Sequence, residues 1–163
     1  MQRRLLILQF RENKKVANHE LACVLKTTGL SKKEVFVENV FFKEFSTKKL
    51  KESIKKAKGI IIGGSGEFSF SEKNKRKDLW KKVKRVYPVL RKVLEKDFPM
   101  LGICLGHQLL ANLLGKKIVQ DKTQAETGTY KFYLTKEGKK DSLFDGLPES
   151  FLVQMGHKDV VLD

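Results

Sequence analysis

Two short stretches hold the residues whose types and spacing could do chemistry. The first, "MLGICLGHQLLANLLG" at 100–115, runs an apolar strand (101–103) into a glycine-flanked cysteine. With no linker it continues into a helix whose Leu105, Leu109, Leu110, Leu113 and Leu114 recur at helical spacing before Gly115. Cys104 thus falls on a tight strand-to-helix turn. A side chain on such a turn stands above the sheet edge, and the new helix presents backbone N–H groups beneath it. Both features suit a nucleophile: the helix N-terminus favours a reactive sulfur, and the N–H of Leu105 can donate to a developing oxyanion. Gly102 and Gly106 keep the turn sterically open. Taken alone, G-x-C-x-G fits a small buried core cysteine equally well.

The second stretch, "GGSGEFS" at 63–69, follows three consecutive isoleucines that read as a buried strand. In an alternating α/β chain its loop lies at the same carboxyl edge of the sheet as Cys104, and its glycines let backbone N–H groups approach a substrate carbonyl. It is no phosphate loop, because no Lys-Ser/Thr follows. Among the three histidines, His107 lies three positions after Cys104 on a helix that carries it away, so it is expected to pack or cap. His19 is expected near a helix start.

The elements that must position these residues follow from periodicity. Residues 4–10 read as a first strand and 19–28 as part of the next helix, closed by Gly29; 35–40 read as a second strand. Thr47 is the expected N-cap of a lysine-rich helix through Ala57, and 59–62 are the isoleucine strand. In the basic stretch 72–85, Leu79, Trp80, Val83, Val86 and Leu90 recur every three or four residues, giving a solvated helix with one apolar face, kinked near Pro88. After Gly115 the pattern turns to short β pieces at 117–120, 129–135, 151–155 and 160–162. The expected class is α/β: a mainly parallel sheet with helices on both faces, and extra short antiparallel strands after residue 115.

The bulk numbers bound the rest. With 163 residues and 40% hydrophobic content, a single domain over 1–163 is the expectation. The apolar run in "MQRRLLILQF" is too short for a signal peptide and lacks a small-residue cleavage site; nothing reaches membrane-spanning length, so a cytoplasmic protein without a membrane partner is expected. Two cysteines, Cys23 and Cys104, make neither a disulfide framework nor a metal cluster, and no metal or cofactor is expected. The net charge of +15 favours anionic partners, but no base-reading module accompanies it, and nucleic acid is not the expected partner.

Four segments, in order, then carry a resemblance. "GIIIGGSGEFS", "GICLGHQLLA", "AETGTYKFYLT" and "LFDGLPESFLVQMGHKDVV" resemble successive motifs of the class I glutamine amidotransferases over about 59–163. Within that family they look most like the glutaminase subunit or domain of GMP synthase and its relatives. The resemblance implies a flavodoxin-like fold and hydrolysis of glutamine's side-chain amide, with ammonia passed to a synthetase domain or subunit. It implies Cys104 as nucleophile and the N–H groups of Gly64 and Leu105 as oxyanion donors. Gly66 and Gln108 would hold the backbone end of glutamine, and His157 would be a neighbour of the active site. The family's catalytic base belongs to a later His-x-Glu pair. No such pair occurs in 1–163, so the final strands and the triad are expected to be incomplete and the polypeptide alone to have little glutaminase activity. Two other readings stay open: a non-catalytic regulatory or binding module of the same fold, and a related cysteine-elbow γ-glutamyl hydrolase.

Overall fold

A computed structural model describes residues 4–121, 123 and 126–162. Four short strands form a parallel sheet in the order β2-β1-β3-β4: β1 Leu5–Gln9, β2 Val35–Asn39, β3 Gly59–Ile62 and β4 Met100–Gly102. The register aligns Leu6 with Phe36 and Ile60, and Ile60 with Met100. Parallel neighbours need helical crossovers. They are α1 Lys14–Thr28, α2 Thr47–Lys56 and the pair α3 Lys77–Lys84 and α4 Tyr87–Leu94. Right-handed connections put α1 on one face of the sheet and α2, α3 and α4 on the other.

Strand alternation sorts the core. Leu6, Leu8 and Phe10, with Ile60 and Ile62, turn to the face where Leu50 of α2, Leu79 and Val83 of α3 and Leu90 of α4 are buried. Helix α5, Leu105–Leu113, adds Leu105, Leu109 and Leu113 to the same cluster. Each such side chain contributes roughly 1.5–3 kcal/mol through burial. Chain ends of the helices follow local chemistry: Asn13 caps α1 through its side-chain oxygen, which accepts from the N–H groups of Lys15 and Val16, and Gly29 ends it at φ +69°.

The chain divides into two compact units, residues 4–119 with 161–162, and residues 120–160. The second is dominated by an antiparallel ladder of β6 Glu126–Tyr133 and β7 Ser150–His157, in which Phe132 opposes Phe151. Two further strands, β5 Lys117–Gln120 and β8 Asp159–Leu162, pair with each other.

Several expected boundaries move. Helix α1 begins at Lys14, so His19 lies in its second turn and is exposed. The N-cap of α2 is Ser46, one residue before the expected Thr47, because the Ser46 hydroxyl accepts from Lys48 N–H. The basic stretch is two helices rather than one kinked helix: α3 ends at Lys84, and Pro88 sits in the first turn of α4, where a missing N–H costs nothing. After residue 115, β5 keeps its expected bounds, β6 runs over 126–133 instead of 129–135, β7 extends past 151–155 at both ends, and β8 begins one residue early. Ala125, the first residue of the "AETG" segment, and Asp163 lie outside the described residues.

Candidate functional site

The site is assembled where β3 and β4 end. From Gly102 the chain passes Ile103, whose N–H donates to the Ile62 carbonyl (2.9 Å), and turns at Cys104 into α5. Cys104 has φ +54° and ψ −108°, one of two non-glycine residues with positive φ among those described. A side-chain-bearing residue persists in that region only where its surroundings impose it. Here they do. The Cys104 carbonyl accepts from Gln108 N–H (3.1 Å) and the Ile103 carbonyl from Gly106 N–H (2.9 Å), so the turn is locked from below. The glycines beside it serve close approach rather than openness. A Cβ on Gly106 would collide with the Ile62 carbonyl, and one on Gly102 would stand 2.6 Å from the Gly106 carbonyl carbon and the His107 nitrogen. The N-terminus of α5 therefore lies directly on the ends of β3 and β4.

Cys104 is exposed, not enclosed in the core. Its neighbour is the glycine loop. The position a Cβ would take on Gly64 is 3.4 Å from Cys104 Cβ and 3.8 Å from its Sγ. The structure thus brings together Cys104, Gly64 and Leu105, whose side chain is sunk in the core and whose N–H opens α5. Gln108 is 7% exposed, which excludes a merely solvated glutamine one turn beyond the cysteine. Gly66 is exposed with open space around its Cα, and its N–H donates to Glu67 Oε2 (3.0 Å). His107 is exposed on α5 instead of packed. His157 belongs to the second unit, where it ends β7 opposite Glu126. Among the described residues no three His, Cys, Asp or Glu groups are arranged to hold a metal ion, and no helix is long and apolar enough to cross a membrane.

Sequence reasoning passed over the polar residues just after β1. Arg11 Nη2 donates to Glu20 Oε1 of α1 (2.8 Å), and Glu20 Oε2 accepts from the buried Gln9 (3.0 Å). This group abuts the glycine loop, for a Cβ on Gly63 would stand 2.8 Å from Glu20 Oε1 and one on Gly64 3.5 Å from Arg11 Nη2. The available signal was "QFRE", in which Gln9, Arg11 and Glu12 bring polar side chains to the carboxyl end of a strand, where ligand sites of parallel sheets concentrate.

Comparison with known proteins identifies both a family and a fold. A family sequence model, glutamine amidotransferase class-I, matches residues 20–163. The glutamine-hydrolysing GMP synthase of Bacillus licheniformis is 37% identical over 114 residues, 69% of this chain and 19% of that protein. One chain of the glutamine-hydrolysing GMP synthase of Archaeoglobus fulgidus, where the enzyme is named by its subunits, is 30% identical over 110 residues, 68% of this chain and 50% of that one. The chain therefore spans at most half the length of these relatives. Among solved structures, a glutamine amidotransferase from Thermotoga maritima superposes with a TM-score of 0.70 at 20% identity, covering 99% of this chain and 63% of that one. A second glutamine amidotransferase, from Methylobacillus flagellatus, gives 0.60 at 15%, covering 99% and 58%. These likenesses share the parallel α/β architecture, and with the family model matched across 20–163 the chain belongs to the class I glutamine amidotransferases.

Proposed function

We propose that Cys104 is the nucleophile of a glutamine-hydrolysing site that supplies ammonia to a synthetase partner. The sulfur adds to the carbon of the side-chain amide, the C–N bond breaks and ammonia leaves, and a γ-glutamyl thioester remains; water then adds, the C–S bond breaks, and glutamate and the thiol are restored. The N–H groups of Gly64 and Leu105 are the donors to the oxyanion of both additions. Gln108 and Gly66 hold the amino-acid end of the substrate. Since the Gly66 N–H is engaged by Glu67, Gly66 contributes its carbonyl and the free space at its Cα. The observation that carries this reading is the exposed Cys104 at φ +54° with Gly64 against its sulfur.

The two units form one amidotransferase domain in this reading, which the family match across both supports. The synthetase partner is proposed from relatives named as a GMP synthase and as a single component of one. A cytoplasmic setting agrees with two cysteines outside any disulfide.

The test is labelling with a glutamine-shaped chloroketone, in which CH2Cl replaces the side-chain NH2. We expect a single adduct mapped to Cys104, slowed by L-glutamine but not by D-glutamine, and absent from Cys104→Ala. Labelling of Cys23 at an equal rate, or no protection by L-glutamine, would reject the assignment. Residues 1–163 hold no His-x-Glu pair. Glutamate release by this polypeptide assayed alone is accordingly expected near background, while labelling, which needs no protonated leaving group, proceeds.

A further inference from the structure

We propose that Arg11 is a positioning residue for the oxyanion loop, clamping residues 63–67 against Cys104 through two carboxylates, Glu20 and Glu67. The inference rests on the reading of Cys104 and Gly64 given above.

Arg11 is built in, backbone and side chain alike. Asn39, 8% exposed at the end of β2, takes both backbone groups: its Oδ1 accepts from Arg11 N–H (3.3 Å) and its Nδ2 donates to the Arg11 carbonyl (2.9 Å). The guanidinium then reaches Glu20 through Nε (3.3 Å) and Nη2 (2.8 Å), while Nη1 stands 3.9 Å from Glu67 Oε2. Side-chain exposure is 19% for Arg11, 15% for Glu20 and 22% for Glu67, so these pairs are shielded from water far more than ordinary surface ion pairs.

Each carboxylate grips a different part of the loop. Glu20 lies against the α-carbon of Gly63, held there by Gln9, whose Nε2 also donates to the Ala17 carbonyl. Glu67 folds back on its own loop: Oε2 accepts from Gly66 N–H (3.0 Å) and from the Ser65 hydroxyl (3.2 Å), and Oε1 accepts from Glu12 N–H (3.2 Å). Gly64 is thus held between residues fixed on either side of it in the chain, and the position its Cβ would take is within 4 Å of both the Arg11 guanidinium and Cys104. An oxyanion donor works by being in place before charge develops, and small displacements are costly. Glycine is free to wander without such support.

The experiment separates the loop from the thiol. The chloroketone, seated as glutamine would be, holds its carbonyl oxygen among the loop's donors while the sulfur displaces chloride from its CH2 group, the S–C bond forming as the C–Cl bond breaks, so those donors assist the reaction. Iodoacetamide reacts by direct displacement of iodide and needs no such donors. On the intact chain, Arg11→Met is expected to slow chloroketone labelling of Cys104 by about 10- to 100-fold while iodoacetamide labelling changes less than about twofold. Arg11→Lys, which keeps charge but loses the fork, should recover part of the loss. Should Arg11→Met lower the urea midpoint, Glu67→Gln provides the same comparison with an expected loss of about tenfold. Equal changes for both reagents, or none for either, would overturn the role of Arg11. Failure of the unmutated chain to label at Cys104 would instead reject the nucleophile assignment.

Discussion

At the scale of single residues, the site depends on glycines for opposite reasons. Gly106 has no space for a side chain: the obstacle is the Ile62 carbonyl with Ile62 Cβ at 2.9 Å, and backbone in a central strand cannot rotate away. Gly106→Ala must lift α5 off the sheet, and we expect it to cost about 3 kcal/mol, at the upper end of overpacking. Gly66 meets nothing, so Gly66→Ala should change stability by less than about 0.5 kcal/mol. Urea unfolding of the two variants checks the contrast, and similar midpoints would refute the packing argument. The same two variants divide differently in chloroketone labelling, where Gly66→Ala intrudes on the proposed amino-acid pocket. Cys104 and its flanking glycines were legible in the sequence because the whole device is local, a strand, a turn and a helix within sixteen residues. Arg11 was not. Its partners Glu20, Asn39 and Glu67 lie 9, 28 and 56 residues further along the chain, and contacts at such separations leave no periodic trace.

At the scale of elements, boundaries were lost where polar residues begin a helix. Asn13-Lys14-Lys15 carries no apolar spacing, and only the Asn13 cap marks the start of α1. The two helices around Pro88 were likewise hidden by a continuous apolar stripe from Leu79 to Leu90, which both share. What joins α4 to α5 is a contact the pattern does not show: the Tyr87 hydroxyl donates to Asn112 Oδ1 at 2.6 Å. Burial pushes the Tyr87 phenol up to about 12. An acid whose proton is held more tightly in the folded chain stabilises the fold below its unfolded value of about 10 and loses that contribution as pH climbs toward about 12. Tyr87→Phe should therefore cost about 1 kcal/mol at neutral pH, as one hydrogen bond is removed. The difference between the two proteins should shrink between pH values of about 10 and about 12. Comparing the pair cancels the titration of the lysines. A difference independent of pH would mean the phenol is not buried as described, and no difference at neutral pH would mean it is not held by that bond.

At the scale of the whole molecule the dominant quantity is charge. The chain carries 34 Lys and Arg against 19 Asp and Glu, and α2 alone holds Lys48, Lys49, Lys51, Lys55 and Lys56 around one acidic residue, Glu52. Where a single sign prevails, the compact state repels itself. The exposed ion pairs offset little of this, since such pairs contribute about 0–1 kcal/mol each. Raising NaCl from about 0.01 M to about 0.1 M shortens the screening length from about 30 Å to about 10 Å, which removes most of the long-range repulsion and leaves the shielded Arg11 pairs nearly intact. Thermal midpoints should rise by a few degrees over that range. Replacing Lys48, Lys51 and Lys55 together with glutamine should raise the low-salt midpoint and flatten its salt dependence, because the repulsion is then already reduced. If added salt instead lowers the midpoint, attractive pairs outweigh the excess of positive charge, and the lysine-rich helices are part of a stabilising network rather than a solvated coat.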